Sequence, residues 1–405
     1  MIRMTMKHDI DKLLQDHIDN NELVQAALLV RQDGRIIYEG VFGYKSRETK
    51  EPLRKDSIFR LMSMSKVITA VCILQLCEQG LLDIDDPVEK YIPEFHGQRV
   101  AVKGQYEFAI KKPLKMLWYL KTFKMNKVRT ESAERPITIR DLLSHSSGLE
   151  QGMVGLLAMV QNRKHKAATL KQQVEMYASY PLDFQPGTDT SYSPLAGFNV
   201  LGYLVSLISG MSFEEYVQKN ICEPLEMKDT TFFLNEEQRT RLVDLYIRKK
   251  ERLVNVTGSE KDLYSVMNME KEAFEAGCGG LYSTVEDYEH FAEMLLNEGT
   301  YYGKRILKQK TVRMMCSEGG YVHLEKDPGL VWGLGVKIRT EPEKCGSAAT
   351  KGTYGWSGAF GTHFFISPED RLEAVFMTNR ADMDGASSPV SREIEKAVFE
   401  NWRKR

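Results

Sequence analysis

The residues with the clearest chemical potential are a serine and a lysine three positions apart, Ser63 and Lys66. They precede a segment, Val67 to Cys77, in which nine of eleven residues are apolar, which predicts a helix buried on nearly all sides. Residues three apart share one face of a helix, so the amine can reach the hydroxyl. A serine hydroxyl is a weak nucleophile until a base takes its proton. The pair therefore predicts a nucleophilic serine with a lysine as its activating partner.

Taken alone, this spacing is a weak signal, because a serine that caps a helix and a solvated lysine give the same pattern. Ser65 is a rival nucleophile, but it is adjacent to Lys66, and adjacent side chains on a helix point apart. Ser63 is therefore favoured. A Ser-His-Asp hydrolase of the α/β type is disfavoured, since the sequence contains no Gly-x-Ser-x-Gly motif.

Two further motifs lie far along the chain. The first is Ser191-Tyr192-Ser193-Pro194, and the second is Trp356-Ser357-Gly358-Ala359. With Ser63 and Lys66 they resemble the serine β-lactamase and penicillin-binding protein family, in particular its class C-like branch, which includes esterases. The resemblance runs from about Val24 to Asn379 and includes linking segments such as 138–149, 223–227 and 279–288.

The resemblance implies a role for each matching residue. Ser63 is implied as the nucleophile, Lys66 as its partner, and Tyr192 as the tyrosine that shares the proton with the lysine. Such a coupled pair can take and return one proton, and which member is the formal base stays open. The backbone amides of Ser63 and Ala359 are implied as the oxyanion hole. The residues implied to contact substrate are Trp356, Ser357, Gly358 and Pro194.

Two positions depart from the β-lactamases and peptidases of the family. Pro194 stands where those enzymes carry an asparagine that holds the substrate's amide. Trp356 stands where they carry a lysine that attracts the substrate's carboxylate. Lys351-Gly352-Thr353 lies nearby, but its order and offset are wrong for that lysine motif. Both groups that would bind a β-lactam are therefore missing, and an aromatic side chain suits an uncharged ester.

These residues predict an esterase-like serine hydrolase that acts through a covalent acyl-enzyme on small ester or amide substrates. One alternative is a β-lactamase or a D-alanyl-D-alanine carboxypeptidase. A further alternative is an acyltransferase or a non-catalytic penicillin-binding relative. His145, which lies in one of the linking segments, is expected to have a structural hydrogen-bonding role, and Glu150 and Asp183 are assigned no role.

The strand signals concentrate at both ends of the chain. Asp33-Gly34 predicts a hairpin turn within residues 26–44, and strands are predicted at 330–338, 363–366 and 372–378. The predicted fold is α/β (α+β) and β-lactamase/transpeptidase-like, with a central antiparallel sheet flanked by helices. One domain, 1–405, would combine an α/β part at about 1–88 and 275–405 with a mostly helical subdomain at about 89–274.

Composition narrows the possible partners. The chain is 42% apolar and 27% charged, as in soluble globular proteins, and its net charge of −1 does not suggest nucleic acid. No stretch approaches the ~20 apolar residues of a membrane span, and the first residues lack a secretory signal's apolar core. Six cysteines form no Cys-x-x-Cys pair. We expect a cytoplasmic protein that needs no metal or organic cofactor and binds a small-molecule acyl substrate.

A basic segment, residues 99–129, has nine Lys or Arg against one Glu. Apolar residues interleave with these charges: Phe108, Ile110, Leu114, Leu117, Trp118, Leu120, Phe123 and Met125. The segment is either a surface insertion whose lysines keep it soluble, or a lid or docking element. In the second case it would meet an amphiphilic substrate, a partner or a membrane surface.

Overall fold

An eight-stranded antiparallel sheet joins the two ends of the chain. The computed structural model describes residues 2–107, 109, 111–162, 169–258, 274–317 and 327–403; Phe108 and Ile110 of the basic segment lie outside them. The strands are β1 (Gln25–Gln32), β2 (Arg35–Ser46), β3 (Glu51–Pro52), β4 (Leu330–Trp332), β5 (Lys337–Arg339), β6 (Tyr354–Ser357), β7 (His363–Ser367) and β8 (Leu372–Met377). Their order is β4-β5-β6-β7-β8-β1-β2-β3. The predicted central antiparallel sheet is confirmed.

Strand β1 connects the N-terminal and C-terminal parts of this sheet. Ala27 lies opposite Val41 of β2 on one side and opposite Met377 of β8 on the other. The β1–β2 turn has Asp33 and Gly34 at φ values of 47° and 72°, the positive angles that a two-residue hairpin turn requires. Local turn chemistry therefore sets the hairpin, as predicted.

The segment predicted as one strand over 330–338 is instead a hairpin of two short strands, β4 and β5. The Gly333 amide donates to the Val336 carbonyl at 2.9 Å, and Gly335 has a φ of 83°. A positive φ is accessible to glycine at little cost, so the chain reverses here. The prediction of a single strand was wrong because the apolar run hides this turn.

Helices cover both faces of the sheet. Successive side chains of a strand point to opposite faces, and Leu28 packs with Phe399 on one face while Leu29 faces the larger core. The helices are α1 (Ile2–Asp19), α2 (Ser65–Glu78), α3 (Pro113–Thr122), α4 (Ile139–Leu143), α5 (Met153–Asn162), α6 (Leu170–Ala178), α7 (Ala196–Ser209), α8 (Phe213–Val217), α9 (Glu223–Leu225), α10 (Glu236–Arg241), α11 (Val285–Leu296), α12 (Gln309–Met315) and α13 (Pro389–Arg403).

Within the part of the chain that the structure describes, four two-stranded pairs supplement the main sheet. They are Phe59–Arg60 with Tyr282–Ser283, Arg99–Ala101 with Thr130–Ser132, Tyr246–Lys249 with Arg252–Asn255, and Thr300–Tyr301 with Lys304–Arg305. The second pair closes the base of the basic segment. The division into an α/β part and a helical subdomain stays a prediction.

Helix α2 is the central helix of the core. Every residue from Ser65 to Leu76 is buried, and the chain leaves the helix through Gly80 at a φ of 72°. This confirms the helix predicted from the apolar run. Its packing against α7 brings the start of α2 close to the segment that precedes α7.

Among the described helices, none is by itself long and apolar enough to cross a membrane. The pair Ala196–Ser209 and Phe213–Leu225 meets the length and composition requirement together, but it bends by 81°. The predicted cytoplasmic location stays a prediction.

Candidate active site

Ser63 lies in a one-turn 3-10 helix, Met62–Met64, that leads directly into α2. Met62 is buried and has a φ of 52°, the left-handed region that a side chain with a Cβ rarely adopts. Such a conformation costs free energy and persists only where neighbouring groups hold it in place. The turn before Ser63 is therefore held by the surrounding structure.

Backbone groups on both sides hold this turn. The Leu61 amide donates to the Leu281 carbonyl at 3.0 Å, and the Thr362 hydroxyl donates to the Leu61 carbonyl at 2.9 Å. The side chain of Asn379, just after β8, accepts from the Arg60 amide at 3.0 Å and donates to the Arg60 carbonyl at 3.2 Å. No local pattern in the sequence points to these residues, because their partners lie hundreds of positions away.

Ser63, Lys66 and Tyr192 converge on one oxygen atom. Tyr192 donates its hydroxyl to Ser63 Oγ at 2.6 Å, and Lys66 Nζ donates to the same oxygen at 3.2 Å. Lys66 is fully buried, although lysine is among the residues most often exposed. Nζ also donates to the carbonyls of Pro194 at 2.8 Å and Cys278 at 2.6 Å. The three residues that sequence analysis brought together by resemblance are therefore neighbours.

The partners of Lys66 allow it to hold or release a proton in place. Carbonyl oxygens only accept, so Pro194 and Cys278 each require one N–H from Nζ. An ammonium has a third N–H and a neutral amine has a lone pair, and in either state this third position faces Ser63. The geometry therefore suits transfer of one proton between Ser63, Lys66 and Tyr192.

His145 supports the segment that carries Tyr192. Its Nδ1 accepts from the Ser193 amide at 3.1 Å, and its ring centre lies 4.9 Å from that of Tyr192. Burial, with the nearby charges of Lys66 and Lys337, holds the pKa of His145 well below its usual range. A neutral imidazole that accepts at Nδ1 carries its proton on Nε2. His145 contacts the backbone beside Tyr192, in keeping with the expected hydrogen-bonding role.

Glu150 holds the next part of the same segment. Its Oε2 accepts from the amides of Leu195 at 3.0 Å and Ala196 at 2.6 Å. These amides lie at the start of α7, where backbone N–H groups have no acceptor within the helix itself. Burial raises the pKa of Glu150 to about 7. Asp183 does the same for α5, since its carboxylate accepts from the Val154 amide at 2.8 Å, and burial raises its pKa to about 6. Both acids are thus helix-capping groups.

The end of strand β6 packs directly against the Ser63 turn. A Cβ added to Gly358 would lie 2.3 Å from the Leu61 carbonyl oxygen and 3.1 Å from Met62 Cβ, so only glycine permits this approach. Ala359 follows in the turn after β6 and packs against the cluster that contains Met62. Among the described residues, neither the Ser63 amide nor the Ala359 amide has a backbone acceptor. Both amides therefore remain available to a bound oxygen.

Trp356 and Ser357 point to opposite faces of the sheet. Trp356 belongs to the larger core, and its ring centre lies 5.2 Å from that of Tyr192. Ser357 pairs across the sheet with His363, and its Oγ lies 2.8 Å from His363 Nδ1. His363 in turn lies 3.4 Å from Glu395 of α13. The Ser357 hydroxyl thus lies on the face of the sheet opposite Trp356, and the predicted contact of Ser357 with substrate stays a prediction.

Trp332, at the end of β4, completes an aromatic wall that sequence analysis missed. Its ring is parallel to that of Tyr192 within 10°, with centres 6.1 Å apart, and its centre lies 4.6 Å from that of Trp356. It also contacts His145, at 4.2 Å between ring centres. The indole N–H of Trp356 has no partner among the described residues. In the sequence, only the position of Trp332 beside glycines near the start of a predicted strand could have indicated this role.

The alternative nucleophile and the alternative motif lysine are not placed for these roles. Ser65 is fully buried, and its hydroxyl accepts from the Leu281 amide at 3.2 Å. Lys351 is exposed in the turn that precedes β6. The described residues contain no group of three or more His, Cys, Asp or Glu side chains placed to hold a metal ion.

An antiparallel sheet with helices on both faces, and a Ser-x-x-Lys pair with a buried lysine beside a tyrosine, together define a hydrolase of β-lactamase-like fold. The chain belongs to the Beta-lactamase family, whose model matches residues 10–397. The family and the fold class predicted from the sequence are confirmed.

The relatives include enzymes of ester chemistry. Esterase EstB of Burkholderia gladioli is 26% identical, with 96% of this chain and 94% of that protein covered. Acyltransferase calJ of Penicillium decumbens is also 26% identical, over 91% of this chain and 88% of that protein. The solved structure of EstCE1, a hydrolase with promiscuous acyltransferase activity, has a TM-score of 0.79 at 23% identity, and covers 98% and 99% of the two chains.

Proposed function

We propose that the chain is an esterase-like serine hydrolase with Ser63 as its nucleophile. One observation carries the proposal: Ser63 Oγ lies 2.6 Å from the Tyr192 hydroxyl and 3.2 Å from Lys66 Nζ. A nucleophile and its base must lie within hydrogen-bond reach of each other, and here two candidate bases meet that requirement.

The reaction is a two-step acyl transfer. Ser63 Oγ attacks the ester carbonyl while its proton passes to the Lys66–Tyr192 pair. The developing oxyanion lies between the amides of Ser63 and Ala359, and the pair then returns the proton to the leaving alkoxide. Water then attacks the acyl-enzyme. The Lys66–Tyr192 pair takes a proton from the water and returns it to Ser63 Oγ, and the carboxylic acid is released.

The substrate class follows from the aromatic wall. Trp356 and Trp332 offer broad apolar faces and no charge that would attract a carboxylate. Lys337 lies over the Trp332 ring, with Nζ 5.2 Å from the ring centre, but Asp327 pairs with it. An uncharged acyl or alkyl ester fits this wall better than a carboxylate-bearing lactam. The relative EstB, an esterase, supports the same class.

A fluorophosphonate probe and a substrate panel test the proposal. The probe should label Ser63, and Ser63→Ala should abolish both labelling and hydrolysis of p-nitrophenyl acetate and butyrate. Ser65→Ala is the matched control, because it removes a hydroxyl two positions away, and it should still be labelled. An adduct mapped to Ser65 or Ser357 would overturn the assignment of the nucleophile.

The same panel decides between the esterase and its alternatives. Nitrocefin, a lactam, should be hydrolysed more slowly than the simple esters. If nitrocefin is the faster substrate, a β-lactamase or carboxypeptidase-like activity replaces the esterase. The acyltransferase alternative, which the name of the relative calJ favours, predicts an ester product when an alcohol is added as acceptor.

A further inference from the structure

Helix α3 presents an apolar face to solvent. Leu114, Leu117 and Trp118 are 84%, 50% and 59% exposed, and their spacing places them on one side of the helix. Among the described residues, four of the eleven exposed large hydrophobic side chains belong to this helix of ten residues, the fourth being Leu120. Single exposed apolar residues are ordinary, but a concentrated patch marks an interaction surface.

The opposite side of α3 already attaches the helix to the body of the protein. Tyr119 is 3% exposed and belongs to the larger core, and its ring centre lies 5.2 Å from that of Tyr106. Its hydroxyl accepts from the Glu107 amide at 3.1 Å. Since the inner side supplies these contacts, the outer face of Leu114, Leu117 and Trp118 is not needed to hold the helix in place.

Positive charge surrounds this outer face. The basic segment, residues 99–129, has a net charge of +8 in a chain of net charge −1, so the rest of the chain carries −9. Lys111, Lys112, Lys121 and Lys124 are exposed close to or on the helix. The one acid of the segment, Glu107, pairs with Lys115 and also lies 3.7 Å from Nζ of Lys112, so Lys111, Lys121 and Lys124 have no acid partner within the segment. An apolar centre bordered by lysines is complementary to a surface that is apolar beneath and anionic above.

We propose that the outer face of α3 and its flanking lysines dock the protein on an anionic lipid bilayer. Leu114, Leu117 and Trp118 enter the boundary between headgroups and acyl chains, where tryptophan is enriched. The lysines extend their flexible stems towards the lipid phosphates. This is attachment at the membrane surface, and it is independent of the chemistry proposed for Ser63.

The type of cation favours a bilayer over an acidic protein. Seven of the nine cations in the basic segment are lysine and two are arginine. Protein interfaces are enriched in arginine and depleted of lysine, because arginine's planar group makes directional paired hydrogen bonds. A fluid layer of phosphates imposes no fixed geometry, so lysine serves there equally well.

Vesicle sedimentation of the full-length chain tests the proposal. The protein should sediment with vesicles that mix phosphatidylcholine and phosphatidylglycerol, should remain in solution with phosphatidylcholine alone, and should be released by added salt. The triple variant Leu114→Ser, Leu117→Ser, Trp118→Ser should lose roughly tenfold or more in affinity. Lys121→Gln should lower the affinity for these vesicles roughly fivefold, the contribution of one lysine near the membrane surface.

Matched variants elsewhere separate this surface from general effects. Leu81→Ser with Tyr302→Ser removes residues that are 49% and 76% exposed, and Lys249→Gln removes a remote exposed lysine. Both controls should bind mixed vesicles as the wild type does. Loss of affinity in the controls as large as in the α3 variants would overturn the proposal, and so would failure of the wild type to sediment.

Fluorescence keeps the proposal testable if the triple variant does not fold. Brominated lipids should quench the wild type, and Trp118→Phe should remove that quenching. Polyglutamate mimics an acidic protein partner. If polyglutamate binds the wild type in a lysine-dependent way while brominated lipids leave Trp118 unquenched, the surface belongs to an acidic protein and the bilayer proposal is wrong.

Discussion

The hydroxyl of Tyr192 lies 2.6 Å from Oγ of Ser63, closer than Nζ of Lys66, which lies 3.2 Å away. Lys66 donates to two backbone carbonyls, and it can keep both hydrogen bonds whether it is an ammonium or a neutral amine. Tyr192 is held instead by its ring contacts with His145, Trp332 and Trp356. The two groups therefore have different sets of partners, although Nζ of Lys66 also lies 5.1 Å from the centre of the Tyr192 ring.

Lys66 and Tyr192 should act as one proton-handling unit. Lys66→Ala and Tyr192→Phe should each lower kcat for p-nitrophenyl butyrate by roughly 100-fold or more. The double variant should be little slower than the slower single variant, since residues that act as a unit are not additive. A double-mutant cycle of kcat provides the measurement, and fully additive losses would contradict a shared proton.

His145 should affect turnover through the position of Tyr192. Glycine and asparagine both tolerate its φ of 55°, but only asparagine offers an acceptor to the Ser193 amide. His145→Gly should lower kcat by roughly 10- to 100-fold with little change in KM, and His145→Asn should restore most of it. Equal losses in both variants would show that the acceptor is not the reason.

Trp356 should set the preference for uncharged esters. Trp356→Lys should lower kcat/KM for short acyl esters by roughly 10- to 200-fold. This corresponds to about 1–3 kcal/mol of transition-state binding, the scale of one pocket contact. Trp356→Phe keeps an aromatic face and should lose less. Comparing kcat/KM for p-nitrophenyl butyrate and nitrocefin measures the change in preference. A Trp356→Lys protein with unchanged ester kinetics would exclude Trp356 from the substrate contact.

Glu150 should make the stability of the fold depend on pH. Its pKa rises from 4.5 to about 7 because it is buried, so the folded protein binds this proton more tightly than the unfolded chain. The stabilisation is complete below the unfolded pKa and is lost as pH rises through the folded pKa. Glu150→Gln keeps an acceptor for the Leu195 and Ala196 amides and carries no charge, so it should lack this loss.

Urea unfolding at about pH 5 and about pH 8 measures the effect. The wild type should lose up to about 3 kcal/mol more free energy of unfolding between these conditions than Glu150→Gln. The exposed Glu251 provides the control, since Glu251→Gln should follow the wild type. The same pH dependence in wild type and Glu150→Gln would contradict the burial of an ionisable carboxyl at this position.

Local patterns in the sequence determined the hairpin at Asp33-Gly34, the buried helix α2, and the placement of Ser63 and Lys66 on one side of its start. Turn chemistry and the spacing of residues on a helix act over a few positions, so a linear sequence contains that information. The joining of Tyr192 to this pair came from the resemblance to a family, because no local rule relates residues 129 positions apart.

Only the tertiary structure decided which other side chains share the site. Trp332 reaches Tyr192 because Gly335 turns the chain between β4 and β5, which the apolar run concealed. The direction of Ser357 depends on the pairing of β6 with β7, since strand register determines which face each side chain occupies. The support that His145 and Glu150 give the Tyr192 segment arises from the packing of distant segments, which no local pattern specifies.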